Sequence, residues 1–256
     1  MKLLFANWKA FPQTSAQAKA LCAATIRAAL KHPSVRVAIF PPLKFLDLCR
    51  KQIAKTNGHV LLGVQDMTQV AAEVRYVFVG HSDRRYKLGE SDAAVNQKLK
   101  AALKHRLTPV LLIGDRTRRS GLEATLTRQL TKGLAGVKAS DFKKILIAYE
   151  PVWAVSTNKG GHPATTQDVS KAISVIKKIL HRLYPGTVLP KFLYGGSVNA
   201  YDVSDFVSIP GIAGVAVGHA SVQPKVITKI IINVAHRSSA LRGWKLSMKE
   251  KKEPSA

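Results

Sequence analysis

Residues 145–183, ILIAYEPVWAVSTNKGGHPATTQDVSKAISVIKKILHRL, hold one complete strand, loop and helix. Ile145–Tyr149 is a short apolar run of the length and β-branched character of a buried strand. Thr166–Leu183 repeats its apolar positions at helical spacing, with Val169, Ile173, Ile176 and Leu180 on one face. Between them, Ser156–Gly161 is polar and glycine-bearing, the composition of a loop. The strand ends on a carboxylate, Glu150, followed by a proline. An acid directly after an apolar strand has to be paired, solvated in a cleft or protonated.

The same unit recurs along the chain. Apolar runs stand at Lys2–Ala6, Val35–Phe40, Val60–Val64, Tyr76–Val79, Pro109–Ile113, Ile145–Tyr149, Lys191–Tyr194 and Gly214–Val217. Helical patterns fill Ser15–Lys31, Ser91–Lys104, Leu122–Leu134, Thr166–Leu183 and Gln223–Ala235. Strands that alternate with helices and are apolar on both faces predict a covered parallel sheet. Eight such units in 256 residues predict an α/β chain folded as one (β/α)₈ barrel over residues 1–236. Residues 237–256 read as a flexible basic tail with room for a short helix. One crossover departs from the scheme: only Gln65–Arg75 joins the third strand to the fourth, room for a turn or two of helix around Gln69–Glu73.

Composition narrows the class further. Apolar residues make up 46% and charged residues 21%, a globular balance. The apolar start is broken at Asn7, too soon for an export signal, and no run approaches the roughly 18 apolar residues of a membrane helix. Cys22 and Cys49 read as reduced core thiols of a cytoplasmic protein. The net charge of +25 favours anionic partners without choosing among them. No spacing suited to a metal site stands out.

In a barrel the C-terminal strand ends converge on one rim, where sites form. Those ends carry Asn7 and Lys9, His81, Glu150, Gly195–Ser197 and Gly218. Each has an ordinary reading in isolation: a solvated lysine, a structural histidine, a tight glycine turn. Together they bring a base, an electrophile, a cation and two turns with free backbone N–H groups to one rim. Such turns, with helix N-termini behind them, suit a phosphate dianion.

The stretches FANWK, VFVGHSDRR, LGESD, AYEPVWA, LYGGSVN and GVAVGHAS run in order from residue 5 to about 221 and resemble the triosephosphate isomerases. That resemblance implies a TIM barrel that interconverts dihydroxyacetone phosphate and glyceraldehyde 3-phosphate through an enediolate, in glycolysis and gluconeogenesis. These roles are the family's own, and the family is itself a standard illustration of pKa tuning. It implies that Glu150 shuttles the proton, that His81 donates as a neutral imidazole, and that Lys9 supplies positive charge with Asn7 beside it. Backbone N–H groups of Ser156, Ser197, Gly218 and His219 would hold the phosphate, with no metal or organic cofactor. Glu90 in LGESD corresponds to a structural acid.

The departures bear on assembly and on the loop after Glu150. The family's long third loop, which enters the partner subunit, is missing, so the usual homodimer is expected to be absent, weak or rearranged. The loop at Val155–Pro163 lacks two of the family's glycines and gains Gly160–Gly161. Asp83 and Asp115 each replace a glutamate, and His219 replaces a glycine. A competing reading is a catalytically impaired barrel that binds anions or nucleic acid through its charge. Against it, aromatics are only 7% and are not clustered with the basic residues. An aldolase on the same fold would need a Schiff-base lysine on a strand, and none of the eight runs has one near its C-terminal end.

Overall fold

Every apolar run forms a strand: β1 Lys2–Asn7, β2 Val35–Phe40, β3 Val60–Val64, β4 Val74–Val79, β5 Thr108–Ile113, β6 Leu146–Tyr149, β7 Lys191–Tyr194 and β8 Ile212–Val217. The computed structural model describes residues 1–69, 71, 73–118, 121–154 and 163–250, with backbone alone at 69 and over 238–250. Each strand pairs in parallel with the next, and β8 returns to β1 with Phe5 beside Ala216, which closes the barrel.

Side chains alternate between two cores because successive residues of a strand point to opposite faces. Phe5, Phe40, Tyr76, Phe78, Leu112 and Leu193 fill the barrel interior with other buried residues. Phe40 and Phe78 stack there with centroids 3.9 Å apart. Their neighbours in sequence, such as Leu4, Ile39, Val77 and Ile113, face outward into the layer between sheet and helices. Burying one such side chain contributes about 1.5–3 kcal/mol, so the strand pattern itself fixes which face is which.

The surrounding helices are α1 Ser15–Lys31, α2 Leu46–Ile53, α3 Asp92–Lys104, α4 Leu122–Gly133, α5 Thr166–Leu183, α6 Val203–Ser208 and α7 Pro224–Glu250. Two start on capping boxes that are present in the sequence, Thr14 with Gln17 for α1 and Thr165 with Asp168 for α5. α2 and α6, eight and six residues long, are too short to repeat a helical period, and the sequence pattern does not reveal them.

The shortened third crossover is present and contains a helical turn. Among the described residues a 3-10 turn forms at Met67–Gln69, and residues 70 and 72 of the expected Gln69–Glu73 turn lie outside them. Asp66 Oδ1 accepts the Thr68 N–H at 3.1 Å and its hydroxyl at 3.0 Å, which fixes the start of the turn. The C-terminal helix outruns the expectation: α7 continues past Ala235 to Glu250, with no proline between Pro224 and Pro254 to stop it.

Candidate active site

Asn7 ends β1 and sets the path of the chain behind it. Its Oδ1 accepts the Lys9 N–H at 3.0 Å, a local side-chain turn that carries Lys9 into left-handed backbone at φ 50°. That conformation costs about 1–2 kcal/mol for a residue with a Cβ. Gln65 offsets part of it, donating from Nε2 to the carbonyls of Lys9 at 2.8 Å and Phe40 at 3.1 Å. The Lys9 ammonium is thereby aimed along the rim, 3.3 Å from Asp83 Oδ2.

His81 follows β4 and opens a tight turn, its carbonyl accepting the N–H groups of Arg84 at 2.9 Å and Arg85 at 3.0 Å. The Asp83 N–H donates to His81 Nδ1 at 3.1 Å. An Nδ1 that accepts leaves the proton of a neutral ring on Nε2, and Nε2 lies 3.3 Å from Glu150 Oε1. Asp83 also approaches Nδ1 through its carboxylate, at 3.6 Å, a longer contact than the backbone donor makes. Burial would raise the Asp83 carboxyl, but the Lys87 hydrogen bond and the charge of Lys9 outweigh it and hold it down at about 2.

Glu150 is 3% exposed. Ser82 supplies both donors that a buried carboxylate needs: its N–H reaches Oε2 at 2.9 Å and its hydroxyl reaches Oε1 at 2.8 Å. The backbone of Glu150 is fixed as well. Its N–H donates to Ile113 O at 2.8 Å, and Gly114 packs so closely that an added Cβ would meet Glu150 O at 1.8 Å.

Behind Glu150, Asp115 accepts from Tyr149 Oη at 2.8 Å and Trp153 Nε1 at 3.0 Å, so the shorter acid still spans both partners. Burial, then the Asp115 charge, pushes the Tyr149 phenol well above its ordinary range, which keeps it a hydrogen-bond donor. Tyr194 lies under the seventh strand's turn, where Gly196 is required because a Cβ would meet the Tyr194 hydroxyl at 2.4 Å.

These elements enclose a cavity of about 310 Å³ lined by Asn7, Lys9, His81, Glu150, Ser197, Gly218 and His219, among others. Phe78, Leu112 and Ala216, the top of the barrel interior, form its floor. His219 opens a 3-10 turn, His219–Val222, whose first N–H groups have no acceptor within the turn. Its exposed ring lies edge-on to Phe11, with centroids 6.3 Å apart. A lysine, the N–H groups of the turn, an acid and an imidazole thus line one cavity. The arrangement can hold an anion while it moves a proton on carbon.

Every anticipated site residue within the described chain lines this cavity, and Ser156 lies outside the described residues. Sequence reasoning missed Ser82, Gln65 and Asp66. Ser82 had a signal in its adjacency to His81. Gln65 and Asp66 had none beyond standing directly after β3.

The chain matches the family model described as triosephosphate isomerase over residues 2–234. A triosephosphate isomerase of Dictyoglomus thermophilum is 31% identical over 250 residues, covering 90% of this chain and 98% of its own. One of Borrelia garinii subsp. bavariensis is 34% identical over 252 residues, with the same coverage. Among solved structures, the triosephosphate isomerase of Bartonella henselae superposes with a TM-score of 0.74 at 27% identity, covering 91% of this chain and 98% of that one.

Proposed function

The chain belongs to the triosephosphate isomerase family and interconverts dihydroxyacetone phosphate and glyceraldehyde 3-phosphate, and we propose that Glu150, His81 and Lys9 carry the reaction. Glu150 removes the proton from the carbon beside the carbonyl and returns it to the neighbouring carbon. The enediolate that forms between these steps carries one negative charge, and a hydroxyl proton has to pass between its two oxygens. His81 Nε2–H donates to them, and the Lys9 ammonium supplies fixed positive charge with Asn7 beside it. The N–H groups of Ser197, Gly218 and His219 hold the phosphate, joined by Ser156 from the loop after Glu150. Two protons move, one between adjacent carbons and one between their oxygens, so the protein's own side chains suffice without a cofactor.

The observation that carries this reading is the 3.3 Å approach of Glu150 Oε1 to His81 Nε2 in a cavity that Lys9 also lines. A base and a neutral donor that close together address adjacent atoms of one small substrate. Turnover in heavy water tests it: the product carries solvent deuterium at the carbon that received the proton. Product free of deuterium, formed by direct hydride transfer between carbons, contradicts it.

The catalytic unit in this reading is 1–236, with the basic residues 237–256 not needed for chemistry. The chain acts in the cytoplasm; among the described residues no helix is long and apolar enough to cross a membrane, and Cys22 and Cys49 are free thiols. A crossover this short has little to offer a neighbouring subunit, so the chain is a monomer or a weak, rearranged dimer. Sedimentation at micromolar concentration checks this; a stable dimer built around residues 65–73 contradicts it.

A further inference from the structure

Gln65 and Asp66, consecutive residues of the shortened crossover, bracket the two groups on which the proposed chemistry depends. Gln65 holds the backbone of Lys9. Asp66 reaches the other way. It is only 2% exposed, and a carboxylate so deeply placed has to be neutralised. Its Oδ2 pairs with Lys98 Nζ at 2.5 Å and Arg84 Nε at 2.7 Å. The same two cations hold Glu90, Arg84 at 2.9 Å and Lys98 more closely still. Burial would raise the Asp66 carboxyl, but hydrogen bonds from Lys98 and the Thr68 N–H outweigh it and hold it below the ordinary range.

Two carboxylates and two cations thus join the crossover to α3 and to the turn after β4. Arg84 belongs to that turn, and its own N–H donates to the His81 carbonyl at 2.9 Å. Asp83, next to Arg84 in the chain, holds His81 Nδ1 from its N–H and Lys9 from its carboxylate. A displacement of Arg84 is therefore passed to the imidazole through one peptide unit and two hydrogen bonds.

We infer that Asp66 is a positioning residue, whose carboxylate clamps Arg84 and so fixes His81 and Asp83 from within one chain. The inference rests on the proposed roles of His81 and Lys9. In this role the short crossover supports the site without help from a second subunit. The clamp is ionic because its members lie on separate elements and have to hold one geometry, and two carboxylates shared by two cations leave neither sign in excess.

Asp66→Asn tests it. The amide keeps an oxygen for the Thr68 turn and removes the charge that Arg84 and Lys98 share. The variant is expected to lose about tenfold or more in kcat, since displacements of the order of 1 Å at a site cost about 100-fold. Its KM changes little, because the phosphate turns at Ser197 and Gly218 are not in contact with Asp66. The His81 ring nitrogen resonances, read without substrate, shift as Nδ1 loses its donor geometry.

Thr68→Val is the control. It removes the hydroxyl bond to Asp66 but leaves the ion pairs, so it lowers Tm and leaves kcat and the His81 resonances as they were. Unchanged kcat and unchanged resonances in Asp66→Asn overturn the inference. Equal kcat losses in both variants also overturn it, because they show a role in folding alone. Wild-type protein without turnover removes the proposed function instead, and the resonances then still decide the positioning role.

Discussion

Asp83 binds both Lys9 and Lys87, and its ionisation sets a pH window. Its folded carboxyl ionises at about 2 against an ordinary 3.8, so its bonds to Lys9 and Lys87 stabilise the fold fully above pH 3.8 and lose that effect as pH falls toward 2. Asp83→Asn is therefore expected to lower Tm at about pH 7, with a difference from wild type that shrinks by about pH 3. Equal differences at both pH values contradict the assignment. Gly114 allows a second test at this scale. Gly114→Ala drives a Cβ into the Glu150 carbonyl, and it is expected to cost about 1–3 kcal/mol in urea unfolding and to lower kcat, because the displaced backbone is that of the proposed base. Glu150, His81 and Lys9 were legible in the sequence because a polar group at the end of an apolar strand needs a reason. Ser82, Gln65 and Asp66 were not, since their partners lie 68, 56 and 32 residues away and no local pattern records such pairings.

At the scale of elements, the eight strands were legible because both of their faces are buried, which writes them as continuous apolar runs. α2 and α6 were not, because one or two turns leave no period to detect. The third crossover was legible as a length, while the role of Asp66 in its turn was not, because an aspartate closes a turn through its own side chain. α5 carries the clearest local signal. Thr165 accepts the Asp168 N–H at 3.1 Å, while Asp168 accepts the Thr165 N–H at 2.9 Å. Arg118 adds a 2.9 Å pair to the same carboxylate. Thr165→Ala is expected to cost about 1 kcal/mol in urea unfolding, and a neutral result would show that the cap does not hold this helix.

For the whole molecule, closure of the sheet brings the strand ends together and turns scattered polar residues into one site. The described buried face of α7 ends at Ala235, and Arg237 makes its last described contact, donating to Ser208 Oγ at 2.6 Å. Removing residues 238–256 is therefore expected to leave kcat within about twofold, and a large loss would show that the end of the chain takes part in the site. The net charge of +25 bears on association and solubility.

All of this chemistry depends on Glu150 being the base of a working isomerase. A coupled assay with glyceraldehyde 3-phosphate, run on the wild type and on Glu150→Gln, decides the point. Turnover is expected from the wild type, with a loss of about 100-fold to 10,000-fold in the variant, the range that general-base catalysis contributes. Equal turnover in the two proteins, or none in the wild type, would remove Glu150 from that role.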